Sequence, residues 1–198
     1  MAITNGYCSL AEVKAALRIT DTLEDSLLEM AIESASREID AGTNRYFYNG
    51  GTATKSFMAN DEYIVFTEDL QSVSVFETDS QLTGNYTTWA STQYQLEPLN
   101  GRADGISLPY NSVRAISGYV LPSYNGQALV RITGVWGWAA VPIAIRQATV
   151  ILASRIFKRL DSPLGVAGFG DMGAMRVSRF DPDVEQLIAP YRVMRNFA

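Results

Sequence analysis

Ser9-Leu10-Ala11-Glu12-Val13-Lys14-Ala15-Ala16-Leu17-Arg18-Ile19 is the stretch on which the reading of the fold turns. Ser9 stands three residues before Glu12. At that spacing a hydroxyl takes the Glu12 amide and the carboxylate returns to the Ser9 amide, so a helix begins here with a capping box. Leu10, Val13, Leu17 and the small Ala16 then recur at helical spacing, and the pattern fades at Ile19-Thr20. Asp21 or Thr22 is placed to cap a second, longer helix. Its expected inner face carries Leu23, Leu27, Met30, Ala31, Ser34, Ala35 and Ile39, with Gly42 as the stop. The pair reads as a helical hairpin.

From Gly50 to Trp138 the period changes. Short β-type segments run Thr54 to Met58, Tyr63 to Phe66, Val73 to Glu77, Tyr94 to Glu97, Gly105 to Leu108, Arg114 to Tyr119 and Ala128 to Val135. Asn49-Gly50-Gly51, Leu99-Asn100-Gly101 and Tyr124-Asn125-Gly126 offer residues that tolerate positive φ in tight turns. An antiparallel sheet or small sandwich is expected. Helical pattern returns at Pro142, favoured at a first helical position, and holds through Ile145, Ala148, Ile151, Leu152, Ile156 and Leu160 until Asp161-Ser162-Pro163. Asp181-Pro182 opens a short last helix with Val184, Leu187 and Ile188, and the tail after Pro190 reads as extended. The expected fold is α+β: a helical bundle formed by the N-terminal hairpin and the C-terminal helices over residues 1–46 and 141–198, with an antiparallel β region inserted at 47–140.

The 198 residues hold 16 Lys and Arg against 21 Asp and Glu, a formal net charge of -5. A dedicated nucleic-acid binder needs a clustered basic excess to displace counterions, so that class is disfavoured. With no His and a single Cys, Cys8, the chain has no His-assisted triad, His-rich zinc site or intrachain disulfide, and neither metal nor other cofactor is expected. Residues 1–8 lack the basic cluster and apolar stretch of a signal peptide, and no apolar run approaches the roughly 18 residues of a membrane helix. A soluble cytoplasmic protein with no membrane partner is the expectation. Charge is polarised along the chain: residues 9–42 hold 3 basic and 8 acidic side chains, residues 43–145 hold 5 and 8, and residues 146–198 hold 8 and 5. In an assembly of head-to-tail contacts, an acidic patch facing a basic one favours correct register.

Several motifs have a plainer reading beside the chemical one. Gly168-Phe169-Gly170-Asp171-Met172-Gly173 spells the dinucleotide fingerprint, but it follows a helix and Pro163 instead of a strand, so it reads as a surface loop. Asp25, Glu29 and Glu33 form an acidic row at i, i+4. It is either a solvated face or a channel-facing wall that does not brake a passing polyanion. The pairs Asp61-Glu62 and Glu68-Asp69 sit at strand ends, where solvated loop charges outweigh glycoside or metal chemistry. Cys8 has no base beside it and reads as a bystander. Trp136 and Trp138 flank Gly137 just before a helix, and either seal the sheet or anchor a subunit interface.

Together these residues resemble a known family. Ser9 to Ile19, the acidic opening Glu24-Asp25-Ser26-Leu27-Leu28 and the exit Gly42-Thr43-Asn44-Arg45 look like the head-tail connector (adaptor) family of long-tailed double-stranded DNA bacteriophages. Val73-Ser74-Val75, Val130-Arg131-Ile132-Thr133-Gly134, Val141 to Ala148 and Leu187 to Val193 continue the likeness over nearly the whole chain. Leu164 to Phe180 has no counterpart in it. The resemblance implies a non-enzymatic ring, a homo-oligomer expected to be a dodecamer like the portal, which docks beneath that portal and carries a head-closure or tail protein. DNA would pass through its channel without specific binding. It implies a place in the virion neck, reached from the host cytoplasm during assembly. Within it, Pro190, Tyr191 and Arg192 are the expected portal-side contact, Tyr and Arg being frequent interface hot spots. Two alternatives stand beside it: another neck protein, such as a head-closure or tail-completion factor, or a small carboxylate-dependent hydrolase.

Overall fold

A computed structural model describes residues 3–103, 105–160, 166–167, 175–176 and 181–193. The chain is α+β and divides into two compact units, residues 1–46 with 141–198, and residues 47–140.

The first unit contains α1 (Leu10–Leu17), α2 (Asp25–Thr43), α3 (Ile143–Leu160) and α4 (Pro182–Ile188), followed by one 3-10 turn at Ala189–Tyr191. The capping box is in place: the Glu12 amide donates to Ser9 Oγ at 3.2 Å and the Ser9 amide to Glu12 Oε2 at 2.7 Å. Helix α1 ends on Arg18 at φ 59°, and α2 runs past Gly42 to end on Asn44 at φ 56°. Asn tolerates the left-handed conformation, so Asn44 supplies the stop expected of the glycine. The start of α2 is also later than Asp21 or Thr22, and its N-cap Glu24 makes no side-chain bond. Helix α4 begins as expected, with Asp181 Oδ1 accepting from the Asp183 amide at 3.0 Å ahead of Pro182.

Val13, Leu28, Ala31, Ile32, Ala35, Ala153 and Phe157 form the core of this unit. The inward stripe of α2 is therefore Leu28, Ala31, Ile32, Ala35 and Ile39. Leu23, Leu27, Met30 and Ser34, expected on the same face, point to solvent. The helix has apolar residues on two faces, and periodicity finds stripes without saying which of them is inside.

The second unit holds β1 (Asn49–Phe57), β2 (Ile64–Thr78), β3 (Thr87–Thr88), β4 (Tyr94–Glu97), β5 (Arg102–Ala103), β6 (Ile106–Ser107), β7 (Tyr110–Ala115) and β8 (Val130–Gly137). Six of them make an antiparallel sheet in the order β1-β8-β2-β7-β4, with β3 on β2; β5 and β6 pair separately. The expected segments at Tyr63 to Phe66 and Val73 to Glu77 are one strand, β2, which keeps its length by slipping register between Phe66 and Leu70. Strand β8 alternates buried and half-buried positions along its length. Its inward residues Val130, Ile132 and Trp136 join Val65, Leu70, Phe76, Val113, Ala115 and Leu121 in a closed core.

This core corrects the expected architecture. The α+β class holds, but the fold is not a helical bundle core carrying a β region: among the described residues four helices form one compact unit, and a six-stranded antiparallel sheet makes a compact unit of its own. Strand alternation is the physical reason, because a sheet with one apolar face must cover that face locally, and residues 47–140 contain enough large side chains to do so. Among the described residues beyond the helices, Val166–Ala167 pairs antiparallel with Met175–Arg176. The G-x-G-x-x-G run at 168–173 lies outside the described residues, as does most of Leu164 to Phe180.

Replacing Ser9 by Ala removes the hydroxyl that accepts the Glu12 amide, leaving the backbone amide of position 9 on the Glu12 carboxylate, and is expected to lower unfolding free energy by about 1 kcal/mol, read from the urea midpoint.

Candidate interaction surfaces

Helix α2 presents the most conspicuous surface of the first unit. Leu27 and Met30, three residues apart on α2, are 43% and 53% exposed, and Leu23, in the turn just before the helix, is 88% exposed. Beside this row lies the acidic one, and it is not an unengaged wall. Asp25 pairs with Lys14 at 2.5 Å, Glu33 accepts from the amides of Thr4 and Asn5, and Glu29 also has a partner. Two turns further on, Asp40 accepts from the Tyr7 hydroxyl and pairs with Arg37 at 3.2 Å. Burial raises the Asp40 carboxyl above its ordinary range against the opposing pull of Tyr7 and Arg37. Burial likewise pushes the Cys8 thiol up to about 12, with the nearby Glu12 charge adding to it. The thiol is therefore poorly nucleophilic.

The expected contact at Pro190, Tyr191 and Arg192 is built as a staple on the end of α2. Tyr191 is buried, while Pro190 and Arg192 are exposed. Arg192 Nε donates to the Gly42 carbonyl at 3.0 Å and its guanidinium pairs with Glu185 at 2.5 Å. The Val193 amide donates to the Thr43 carbonyl at 3.0 Å, and Asn44 Nδ2 returns to the Val193 carbonyl at 3.3 Å. These bonds satisfy carbonyls left open at a helix C-terminus.

Trp136 and Trp138 are both buried inside the β unit. Trp136 Nε1 donates to the Ala53 carbonyl at 2.8 Å and Trp138 Nε1 to Asp69 Oδ2 at 2.8 Å. Between them Gly137 sits at φ 83°, where a Cβ would lie 2.2 Å from the Tyr48 carbonyl oxygen, so no other residue fits. The carboxylates proposed for hydrolysis are engaged in structure as well. Glu68 pairs with Lys55 at 2.7 Å, Asp69 receives the Trp138 indole, and Asp61 Oδ1 accepts the amides of Tyr63 and Ile64 at 2.6 and 2.8 Å. No cluster of three or more metal-ligating side chains occurs among the described residues, and no described helix is long and apolar enough to cross a membrane.

A second surface, which sequence reasoning passed over, lies at the tips of the β1–β2 and β7–β8 loops. Met58, Tyr63, Tyr119, Val120 and Tyr124 are each between 41% and 52% exposed there. The signal available in the sequence was the density of Tyr, Ser, Gly and Asn between Ser117 and Gln127, a composition shared with recognition loops.

Fold and surfaces together define an α+β protein in which many ionic groups are engaged with one another and two clusters of large apolar side chains are exposed. Residues 7–76 match the model of a family described as phage gp6-like head-tail connector proteins, and the resemblance read from the sequence is borne out by that match. A solved neck of an empty gene transfer agent (GTA) particle, computed with C6 symmetry, shares the fold at a TM-score of 0.58 and 19% identity, covering 98% of this chain and 94% of that one. A chain from the virion of a native gene transfer agent particle aligns at a TM-score of 0.56 with the same identity and coverage. No curated protein sequence matches the chain.

Acid should destabilise the protein. The side-chain bond from Arg114 holds the Glu97 carboxyl below the ordinary glutamate value of 4.5, and the Ser9 amide does the same for Glu12. Burial pushes Asp79 up, but the amides of Gly84, Thr83, Gln81 and Leu82 together bring it below 3.8. A depressed folded pKa gives stability that is present above the unfolded value and lost as pH falls through the folded one. Asp40, with its raised pKa, contributes with the opposite sign, against three groups that act together. Urea midpoints are expected to fall steadily from pH 5 to pH 2, and Glu97→Gln should flatten that slope.

Proposed function

We propose that this chain is a structural head-tail connector of a phage-type particle, a ring component of the neck that works by making contacts and not by catalysis. The observation that carries this reading is the outward pair Leu27 and Met30 of α2, with the exposed Leu23 in the turn just before the helix, all inside the segment matched to the connector family. Large apolar side chains three residues apart on an exposed helix face are what a second helix packs against. A helix of a neighbouring copy is the occupant that a ring supplies. The likeness to a neck chain solved with C6 symmetry supports a ring, and a dodecamer matched to a portal satisfies sixfold symmetry as well.

In this reading the ring sits between the portal and a head-closure or tail protein, in the virion neck, after assembly in the host cytoplasm. The exposed residues Pro190 and Arg192 form the portal-side contact, with Tyr191 fixing their position from beneath. Trp136 and Trp138 serve interfaces indirectly, by holding the end of β8. The side of α2 bearing Asp25, Glu29 and Glu33 faces the DNA path, and the net charge of -5 lets the duplex pass without specific binding.

The double variant Leu27→Glu, Met30→Glu tests the reading. Both positions are exposed, so circular dichroism and the melting temperature should be close to wild type. Two carboxylates driven into a helix seam without partners should lower ring formation on portal-bearing heads, and the yield of tailed particles, by about a hundredfold. Undiminished rings and tails in electron micrographs would sink the proposal.

A further inference from the structure

Helices α2 and α3 each turn one face into the core of the helical unit and leave another outside. On α2, Leu27, Met30, Ser34 and Glu38 follow one another at steps of three, four and four residues, and all are exposed. On α3, Ile143, Gln147, Ile151, Ser154 and Lys158 follow at steps of four, four, three and four. Ile143 is 70% exposed, Gln147 and Lys158 are exposed, and Ile151 and Ser154 are half-buried. Such steps keep side chains on one side of a helix. Each stripe is therefore apolar toward its N-terminal end and charged at its C-terminal end, and the two charges are opposite. Neither Glu38 nor Lys158 has an ion pair among the described residues. Glu38 borders a cleft with Arg155 and Arg159 but pairs with neither, Arg155 being taken by Asp181. Arg37, beside Glu38, is turned to Asp40 and the Asn5 carbonyl.

The stripes also match in length. Leu27 to Glu38 and Gln147 to Lys158 are the same number of residues apart, about 17 Å of helix. Laid side by side in the same direction, Leu27 meets Gln147, Met30 meets Ile151, Ser34 meets Ser154 and Glu38 meets Lys158. Leu23, in the turn before α2, then falls beside Ile143. Small serines at the middle of the seam let the helices approach closely. In the opposite direction Lys158 would lie toward Leu23 and Leu27, and Glu38 toward Ile143, each charge on apolar surface without a partner. Charge therefore sets the polarity of the pair.

Both stripes belong to this chain, and that identifies the occupant as a second copy. The other described helices of the unit do not offer the match. Outward on α1 stand Ala11, Ala15 and Ala16, with no large apolar side chain beside them, and α4 shows Pro182, Asp183 and Gln186. Two α2 stripes set Glu38 on Glu38 when parallel. Antiparallel, they carry Glu38 past the start of the other helix toward Asp21 and Glu24, again acid against acid.

We propose that the outward face of α2 on one copy receives the outward face of α3 on the next, the two helices running in the same direction with Glu38 opposite Lys158. Because the two faces differ, every copy keeps one of each for a further neighbour, the head-to-tail arrangement of a ring. This rests on the connector reading and adds to it the neighbour's helix, register and polarity.

Full-length Leu27→Cys copies and Gln147→Cys copies are mixed at millimolar concentration with a short bis-maleimide, whose reach suits helices about 8–10 Å apart. The native Cys8 is buried and does not compete. The expected main product joins the two variants, about tenfold above either variant joined to itself. Glu38→Lys on the Leu27→Cys copies, or Lys158→Glu on the Gln147→Cys copies, should each lower that yield about tenfold, and the two together should restore it. All four positions are exposed, so circular dichroism should be unchanged. Leu27→Cys joined mainly to itself would indicate an α2 to α2 pair and overturns the proposal. So does the lack of a mixed product, or a charge swap that fails to restore it. No particle is needed, so absence of the protein from phage-type necks would count against the connector reading alone.

Discussion

Helix α2 carries more apolar surface than its own unit buries. Leu28, Ala31, Ile32, Ala35 and Ile39 close one face against the core, and Leu27 and Met30 remain on another, next to the exposed Leu23 in the turn before the helix. A helix apolar on two sides is at home between two neighbours, and the described residues of the unit cover only one of them. The functional reading follows from that imbalance. Moving Leu27 or Met30 inward would require rotating the helix, which would carry Leu28 and Ile32 out of a core where both are fully buried. The excess therefore cannot be removed within the chain, only covered from outside.

The ionic groups behave in the opposite way. Lys14 with Asp25, Lys55 with Glu68, Arg114 with Glu97, Arg131 with Glu77 and Arg155 with Asp181 are all satisfied inside their own unit. Partly exposed pairs of this kind contribute about 0–1 kcal/mol each, so they do little to explain why the protein is stable. Their consequence lies elsewhere: cations that neutralise local carboxylates are less available to gather phosphates, and with a net charge of -5 the chain has little to hold DNA by. In the proposed connector role, beside a passing duplex, that property would be needed.

How much of this was legible in the sequence depended on whether a local signal decided it. Ser9 with Glu12 and Asp181 with Pro182 set their helix starts because capping is a matter of spacing within four residues. The run Tyr94 to Glu97 was read as a strand with the right bounds, whereas Tyr63 to Phe66 and Val73 to Glu77 were read as two, since a register slip has no local signature. The β region was set off at residues 47–140, but what closes its core was not legible, for a similar reason. Whether Val65, Phe76, Ile132 and Trp136 close on one another or on helices is decided by pairing across distant strands, which alternation alone does not specify. On α2 two apolar stripes were merged into one face. In the same stretch lay the exposed row that carries the functional reading, visible as residues and invisible as a surface.

The size of that row bears on how assembly is controlled. Burying a Leu or Met side chain completely contributes about 1.5–3 kcal/mol, and Leu27 and Met30 are already half covered, so one seam is worth on the order of 3–5 kcal/mol. Bringing two free molecules together costs about 4–15 kcal/mol in lost freedom. On these figures a single seam falls short of the cost of association. In a ring each copy makes two such contacts, and a template that holds neighbours in place removes most of the loss of freedom before the seams close. A stronger seam would defeat the purpose, because head-to-tail contacts that form without a template to close them grow into open filaments. Modest exposure on α2 is thus the condition under which the same surface is soluble when alone and adhesive when aligned.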